Sequence, residues 1–529
     1  MKAENFQRGG LTSVTIAASR GLLASCIFVL LGLGGCGSDS NPQSSQQTAT
    51  NQQTVPIPTA QLIPRTATSI PWNANDKKLT PIYLSDEGYV EEEYFISGAA
   101  NIYDWPDTKS SAVVKTANVP YVTQFIVTRP ADMSRFSGNV LVEVGNPTSG
   151  YDKPNFWSTA HKQVIRNGDA FIEMASQSGS IAKLKQYDPV RYGPLNWASP
   201  SAPTSMENGL YWDMLSQAAA WVRSNASTNP LNGKVKTVIA VGVSQSSVML
   251  NTYLNAVLPL ARKEDGKPMF DGILQTIGPN YFPINGSASA PYSFASRGIV
   301  PTIRIASSAD FANMMGPADN PPPSSRRADS DAPGDQYRLY EIAGMPHNSI
   351  WMNIYSPGWG QVAKIGVTPT PALLSDITFT PSTNDFPGWA FYHAALVNLE
   401  NWINNGIAPP KDLPRITYQA MHGSEHIEYQ EDAYGNTVGG IRNPWVDVPY
   451  ATWVPHSYNN PEYTGSSQFT RNYKIPFSVA QLTNLYGNSA TFLSKFDAGI
   501  DALVSSRMIL DVDAEVLKDQ VFEMQLLNN

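Results

Sequence analysis

The sequence is poor in cysteine, in charge and in long apolar runs. Of its 529 residues, two are cysteines and only 15% are charged, and the net charge is −8. No cluster of lysines and arginines is present that could follow a phosphate backbone, so the composition argues against nucleic acid as a partner. Proline (41) and glycine (38) are plentiful instead, which is typical of a loop-rich globular enzyme and not of a disordered or coiled-coil protein.

The beginning of the sequence has the pattern of a targeting segment. Basic residues precede an apolar stretch, residues 22–33, which at about 12 residues is too short to span a bilayer. The stretch leads into Leu33-Gly34-Gly35-Cys36, which resembles a bacterial lipobox, and a Ser/Gln-rich tract follows. The resemblance implies cleavage before Cys36 and attachment of lipid to that cysteine. The alternative is an ordinary signal peptide in which Cys36 is incidental.

We therefore expect residues 1–35 to be a lipoprotein signal peptide and residues 36–78 to be a flexible tether, because the tract is polar and offers little to bury. Gly37 stands where an Asp typically marks inner-membrane retention, so a lipid-anchored protein of the outer membrane is expected, facing the periplasm or the cell surface. Cys26 would leave with the signal peptide, so no intrachain disulfide is expected.

Strand and helix patterns alternate along the rest of the chain. Short continuous apolar runs are typical of buried parallel strands, whereas apolar residues three to four apart indicate helices. The predicted strands are 92–103, 121–128, 139–144, 170–174, 235–241, 272–277, 301–306 and 337–342, and the predicted helices are 156–167, 211–224, 245–261 and 389–404. This alternation predicts an α/β fold with a mostly parallel sheet and helices on both faces.

We expect the core to span residues 79–410 and residues 411–529 to form a C-terminal extension packed on it. Three segments rich in Pro, Ser and Asp are too long for simple connections and are predicted to be lid or rim insertions. These segments are residues 283–300, 311–335 and 353–387.

One predicted strand ends at a serine-containing motif that is typical of a catalytic nucleophile. Thr237-Val-Ile-Ala-Val-Gly242 runs directly into Val243-Ser244-Gln245-Ser246. A serine at such a strand-to-helix turn has its Oγ lifted into a cleft, which a nucleophile requires. Gly-x-Ser-x-Ser also occurs by chance, and a serine that only caps a helix is the alternative. Placement between a strand and a helix favours the nucleophile and predicts a serine hydrolase with the α/β-hydrolase fold.

A base and an acid should follow the nucleophile, in the order Ser, Asp/Glu, His. Among the six histidines, His347 is the one that follows a strand downstream of the serine at a small-residue turn, so it is the predicted base. A histidine in a surface loop is the alternative. Asp310 lies just past the preceding strand and is the predicted acid. Asp329, Asp331 and Asp335 remain competitors for that role.

Two backbone N–H groups should bind the developing oxyanion. The residue after the nucleophile, Gln245, is expected to supply one. The second is expected from residues 145–148, where Pro147 has no N–H. Asn146 or Thr148 must then donate, and we favour Asn146.

No metal or cofactor is expected. His422 and His426 have the four-residue spacing of a metal-binding pair, but no third ligand is evident near them. His393 lies in a predicted helix and is expected to pack there. Tyr281-Phe282 and Trp351-Met352 are candidate walls of a substrate pocket, with ordinary core packing as the alternative.

Several blocks of the sequence resemble the bacterial α/β-hydrolase-domain family that has a Ser-Gln-Ser elbow. The resemblance covers roughly residues 90–520. The blocks are Gly242-Val-Ser-Gln-Ser246 with Leu250 and Tyr253, Met269-Phe-Asp-Gly272, 329–335 with 338–344 and His347, 394–399 with Trp402, Gly406 and Pro409-Pro410, 439–442 with 447–449, and 476–478 with 485–487. One departure is Ser247, where the family often has Gly.

The resemblance implies a serine hydrolase, and a carboxylic ester hydrolase in particular, with Ser244 as nucleophile and His347 as base. A small-molecule ester would be attacked by Ser244, and water activated by His347 would hydrolyse the acyl-enzyme. The resemblance names no substrate. A peptidase, an amidase or an acyltransferase on the same triad, and a non-catalytic binding lipoprotein, remain alternatives.

Overall fold

The computed structural model describes residues 52–105, 112–278, 284, 297–310, 326–367, 383–420, 427–456 and 471–527. They belong to one compact unit, Thr50–Asn529. The signal peptide with Cys36, the Tyr281-Phe282 pair and the His422/His426 pair lie outside the described residues, as do residues 285–296, 311–325 and 368–382 of the predicted lid segments. These expectations therefore remain predictions.

A ten-stranded sheet forms the centre of the structure. Its order is β13-β14-β12-β11-β9-β5-β6-β4-β3-β2, and the six strands from β14 to β6 are parallel to one another. The strands of this sheet are β2 (Thr59–Ile63), β3 (Tyr89–Asp104), β4 (Val113–Pro130), β5 (Asn139–Val144), β6 (Ala170–Met174), β9 (Thr237–Val243), β11 (Gly272–Thr276), β12 (Thr302–Ala306), β13 (Ser330–Ala332) and β14 (Asp335–Glu341). The parallel strands are the six that the apolar runs predict.

Four small two-stranded sheets surround the central one. They pair β1 (Gln53–Thr54) with β10 (Ala261–Arg262), β7 (Ala198–Ser199) with β8 (Ala202–Met206), β15 (Tyr418–Ala420) with β16 (Ile427–Tyr429), and β17 (Ala451–Val454) with β18 (Tyr473–Pro476).

Helices cover both faces of the central sheet. The described α-helices are α1 (Asn155–Asn167), α2 (Ser178–Tyr187), α3 (Tyr211–Arg223), α4 (Gln245–Ala256), α5 (Ile350–Ile354), α6 (Trp359–Lys364), α7 (Gly388–Asn405), α8 (Pro444–Asp447), α9 (Val479–Tyr486), α10 (Ser489–Ser505) and α11 (Asp511–Glu523). Three 3-10 turns accompany them, at Asn75–Lys77, Leu84–Glu87 and Asn208–Leu210. No helix in the described ranges is long and apolar enough to cross a membrane.

The strands divide the core into two layers because successive side chains point to opposite faces. Val140 and Val142 pack in the layer that contains α3 and α4, whereas Leu141 packs in the layer that contains α1 and α7. Every residue of β5 and β9 is buried, as expected for parallel strands covered on both sides. The predicted α/β fold class, with a mostly parallel sheet between helices, is confirmed.

The tether predicted for residues 36–78 is wrong from residue 52 onwards. β2 forms the edge of the central sheet by pairing with β3, and Trp72 is only 3% exposed. Lys78 is also buried, and its Nζ donates to Asn73 Oδ1 over 2.8 Å. The composition does not indicate that this segment is ordered, because the segment is fixed largely by polar side chains that pair with distant residues.

The C-terminal part of the chain packs against α7. His393 on α7 hydrogen-bonds Asp513 on α11, and Asn398 Nδ2 donates to Arg507 O. Phe496 on α10 packs edge-on against Trp445. The residues after 410 are therefore built onto the same core.

Candidate active site

Ser244 lies in the turn between β9 and α4, in a conformation that few residues other than glycine adopt. Its φ is 58° and its ψ is −120°. The turn is hydrogen-bonded to the end of the neighbouring strand, because the Ser244 N–H donates to Thr276 O (3.0 Å) and to Ile277 O (2.9 Å). Ile277 itself has a φ of 42°. Two adjacent strained residues indicate a site whose geometry is maintained by its surroundings.

Two glycines allow the backbone to approach the turn closely. A Cβ on Gly242 would lie 2.8 Å from the backbone of Ser246, and a Cβ on Gly278 would lie 2.7 Å from Ser244 O. Gly278 also has a φ of +109°, which disfavours side chains in any case. Gly242 is part of the recognised motif, whereas Gly278 was not singled out, since its role depends on a contact across the sheet.

Ser244, His347 and Asp310 form a continuous chain of hydrogen bonds. Ser244 Oγ lies 2.8 Å from His347 Nε2, although 103 residues separate them. His347 Nδ1 lies 2.7 Å from Asp310 Oδ1. Because a carboxylate oxygen can only accept from the ring, His347 carries its proton on Nδ1 and offers Nε2 as acceptor to the serine hydroxyl. Ser244 is half-buried, whereas Asp310 is 1% exposed.

The second carboxylate oxygen of Asp310 is also bonded. It accepts the backbone N–H of Ser307 over 2.6 Å, so the carboxylate is fixed between a backbone donor and the imidazole. Ser307 is a contributor that the sequence analysis did not identify, although it lies in the same short turn after β12.

The three competing aspartates lie elsewhere, in ion pairs around the β13–β14 hairpin. Asp329 pairs with Arg415, Asp331 with Arg338 and Asp335 with Arg327. The turn after β12 therefore supplies the carboxylate that touches His347, and the hairpin supplies structural ion pairs.

Gln245 follows Ser244 directly in the turn. It is the first residue of α4, and its N–H has no acceptor among the described residues. The N-terminus of a helix carries partial positive charge from its unpaired N–H groups, which stabilises an anion there.

The prediction that a backbone N–H of Asn146 or Thr148 is free to be the second donor is wrong, because both groups are already bonded. The Asn146 N–H donates to Lys153 O (2.9 Å), and the Thr148 N–H donates to Asn146 Oδ1 (3.0 Å). Neither backbone group is free, because the loop closes on itself. The Asn146 side chain instead reaches the elbow, where Nδ2 donates to Val243 O over 2.8 Å. Its second Nδ2 hydrogen has no acceptor among the described residues.

The loop is attached to the elbow by a further contact. Thr148 Oγ1 donates to Gln245 Oε1 over 2.9 Å. Together with the bond from Asn146, this contact fixes the position of the loop relative to the start of α4.

Two buried carboxyl groups form hydrogen bonds that hold the loop that carries Asn146. Glu143, near the end of β5, is fully buried and accepts the N–H groups of Phe156 and Trp157 at the start of α1. Burial raises its pKa well above the ordinary value. Asp152 accepts the N–H and the hydroxyl of Ser176, and burial raises the pKa of Asp152 to about 6. These groups fix both ends of the loop that carries Asn146.

Trp351 and Met352 do not form a common wall. Met352 is buried in the core, whereas Trp351 is half-buried and lies with its ring near Trp389. No group of three or more possible metal ligands is found in the described ranges.

A model of the α/β-hydrolase domain family matches residues 54–519, which is most of the chain. The chain belongs to this family. Its elbow, its parallel sheet and its order of Ser, Asp and His are those of an α/β hydrolase.

Three solved structures that are similar to this α/β hydrolase have low sequence identity to it. Esterase Est22 is 14% identical over 56% of this chain and 82% of its own, with a TM-score of 0.29. XC6422 from Xanthomonas campestris, an α/β serine hydrolase without a lid, is 13% identical over 53% of this chain and 94% of its own, with a TM-score of 0.25. A putative dienelactone hydrolase from Klebsiella pneumoniae is 10% identical over 51% and 95%, with a TM-score of 0.23. No curated protein sequence matches significantly.

Proposed function

We propose that this α/β hydrolase is a serine esterase that cleaves small carboxylic esters through an acyl-enzyme. The observation that supports the proposal most directly is the unbroken contact from Ser244 Oγ through His347 to Asp310, with distances of 2.8 and 2.7 Å. A nucleophile, a base that touches it and a carboxylate that orients the base are the three groups that acyl transfer by serine requires.

In the proposed reaction, His347 Nε2 takes the hydroxyl proton as Ser244 Oγ attacks the ester carbonyl. Asp310 stabilises the resulting imidazolium through the Nδ1–H bond. The carbonyl oxygen becomes an oxyanion that accepts from the Gln245 N–H and from the second Nδ2 hydrogen of Asn146. His347 then gives its proton to the departing alcohol, and the acyl group remains on Ser244.

Hydrolysis of the acyl-enzyme repeats these steps with water. His347 removes a proton from water, the hydroxide attacks the acyl carbonyl, and the proton returns to Ser244 as the acid leaves. Every step uses side chains and backbone groups of this chain, so the proposed mechanism includes no metal and no cofactor.

Ester hydrolysis is tested by replacing the nucleophile. Ser244→Ala is expected to lower kcat for p-nitrophenyl acetate by several powers of ten, while circular dichroism and the melting temperature stay close to those of the wild type. Ser85→Ala is a matched control, because it removes a hydroxyl whose hydrogen bond, among the described residues, is to the adjacent Asp86. Hydrolysis that survives Ser244→Ala would exclude this serine as the nucleophile.

The same Ser244–His347–Asp310 arrangement can act on other acyl compounds, so a peptidase, an amidase or an acyltransferase is the second candidate. A panel of esters, anilides and peptides with matched acyl groups separates these classes by kcat/KM. A non-catalytic binding protein is the third, and it would not react with a fluorophosphonate probe.

We also propose that the protein is anchored to the bacterial envelope by lipid on Cys36, with the outer membrane as the expected location. The lipobox-like Leu33-Gly34-Gly35-Cys36 supports this proposal. Growth with an alkyne fatty acid should label the wild-type protein and not Cys36→Ala. Equal labelling of the two would exclude Cys36 as the attachment site.

A further inference from the structure

Arg304 is a buried cation within the central sheet. It lies on β12 and is only 1% exposed. Its neighbours Ile303 and Ile305 pack in the layer that contains α1 and α7, so the Arg304 side chain points to the opposite face, which α3 and α4 cover. An arginine stays charged in such a place, and burial of its charge is costly unless the guanidinium forms hydrogen bonds. The contacts of this group therefore need an explanation.

The Arg304 guanidinium binds the backbone that supports Ser244. Its Nη2 donates to Gly278 O. Gly278 in turn lies directly against the nucleophile, because a Cβ on Gly278 would be 2.7 Å from Ser244 O and 3.3 Å from Ser244 Cα. A single residue thus separates the guanidinium from the backbone of the proposed nucleophile.

The segment that Arg304 binds, residues 276–278, has a strained backbone. Ile277 has a φ of 42° and Gly278 a φ of 109°, and a positive φ is a genuine outlier for a β-branched residue. In this conformation the carbonyl groups of Thr276 and Ile277 both accept the Ser244 N–H, at 3.0 and 2.9 Å. A strained backbone persists only where its surroundings fix it. Arg304 supplies a charged donor to the carbonyl that follows the strained isoleucine.

A second polar side chain lies beside Arg304 and binds the other side of the turn. Gln275 on β11 is in register with Arg304 on one side and with Gly242 on the other, and it is fully buried. Its Nε2 donates to Ser247 O over 3.3 Å, in the first turn of α4. Parallel strands ordinarily carry apolar residues at such positions, so two adjacent polar side chains below the elbow indicate a specific role.

We infer that Arg304 is a positioning residue for Ser244. Its bond to Gly278 O keeps residues 276–278 in the conformation that accepts the Ser244 N–H, and this keeps Ser244 Oγ within reach of His347 Nε2. Arg304 is buried below the elbow and does not touch the substrate. The inference rests on the proposed function and extends its machinery to a residue on β12.

Arg304→Met tests the inference, because it removes the donor and keeps an unbranched side chain. We expect kcat for p-nitrophenyl butyrate to fall by about 100-fold with little change in KM, since misplacement of a reacting group by about 1 Å costs on that order. The rate of labelling by a fluorophosphonate should fall by a similar factor. Arg304→Lys keeps a charged donor and should recover at least about tenfold of the lost kcat.

Arg338→Met is the matched control. Arg338 is a fully buried arginine on the neighbouring strand β14, and it also donates to backbone carbonyl groups, those of Pro409 and Ser330. Both methionine variants should have a lower melting temperature than the wild type, but Arg338→Met should keep the wild-type kcat and labelling rate. Hydrogen exchange of the peptide that contains Ser244 should accelerate in Arg304→Met and not in Arg338→Met.

If Arg304→Met does not fold, the crystal structure and the kcat of Arg304→Lys decide. A bond from the new ammonium group to Gly278 O, together with most of the wild-type kcat, would support the inference. The same kcat with the ammonium group turned away from Gly278 O would overturn it.

Two further results would overturn the inference. One is folded Arg304→Met protein that has the kcat of the wild type. The other is an equal loss of kcat in Arg304→Met and Arg338→Met. Failure of the proposed function gives a different result, because the wild-type protein itself would then neither hydrolyse esters nor react with the fluorophosphonate, and the inference would fail with it.

Discussion

Asp310→Asn is expected to inactivate the enzyme by changing which nitrogen of His347 carries the proton. An asparagine at this position has one acceptor and one donor, where the aspartate has two acceptors. The backbone N–H of Ser307 lies 2.6 Å from Asp310 Oδ2, and it cannot change its role. The amide oxygen must therefore face Ser307, which turns the amide NH2 group toward His347 Nδ1.

An NH2 group at that position requires His347 Nδ1 to be an acceptor. The ring proton then moves to Nε2, which lies 2.8 Å from Ser244 Oγ, and Nε2 can no longer take the serine proton. Such a change of tautomer in a serine triad costs roughly 10⁴-fold in kcat, which corresponds to about 5 kcal/mol of transition-state free energy. The melting temperature should change little, because the two side chains have the same shape.

The assay is kcat/KM for p-nitrophenyl butyrate, together with the rate of labelling by a fluorophosphonate. Asp331→Asn is the control, since its carboxylate is 41% exposed and pairs with Arg338 on the hairpin; it should retain wild-type activity. Activity of Asp310→Asn within tenfold of the wild type would refute the reasoning, as would a loss of activity in Asp331→Asn that equals the loss in Asp310→Asn.

Three further changes test the surroundings of the site. Asn146→Ala removes the side-chain donor and should lower kcat by about 10²- to 10³-fold with a small change in KM; an unchanged kcat would exclude Asn146 from the oxyanion site. Gly278→Ala should lower both the melting temperature and the activity, because its Cβ would lie 2.7 Å from Ser244 O, whereas Gly360→Ala, with open space around it, should do neither. For Asp152, burial raises the pKa from 3.8 to about 6, so its contribution to stability is present at low pH and is lost as the pH rises from about 4 to 6. Asp152→Asn should remove the part of the decrease in melting temperature over this pH range that the Asp152 carboxyl causes. Identical slopes of melting temperature against pH in the variant and the wild type would contradict the raised pKa of Asp152.

The strands and site residues that could be predicted from the sequence are those marked by a pattern of residues that lie close together in the chain. Each parallel strand is a short apolar run that is buried on both faces, so its position is visible without knowledge of its neighbours. Ser244 could be located because a strand, a serine and a helix follow one another within a few residues. His347 and Asp310 could be located because each follows a strand of the same parallel sheet, and the ends of such strands meet at one edge.

The features that were missed depend on contacts between distant residues. The order of residues 52–78 depends on polar pairs such as Lys78 with the buried carboxyl groups of the sheet, and their composition alone resembles that of a linker. The bonded state of the Asn146 backbone N–H could not be deduced, because the sequence does not reveal that the loop closes through the bond to Lys153 O. The His393–Asp513 pair joins residues 120 positions apart, with no local motif around either.

Mass spectrometry after treatment with a fluorophosphonate tests the central claim most directly. The account predicts a single phosphonate adduct, located by peptide mapping on Ser244, and its absence in both Ser244→Ala and His347→Ala. An adduct on any other residue, or an unmodified Ser244 in folded wild-type protein after prolonged exposure, would contradict the account.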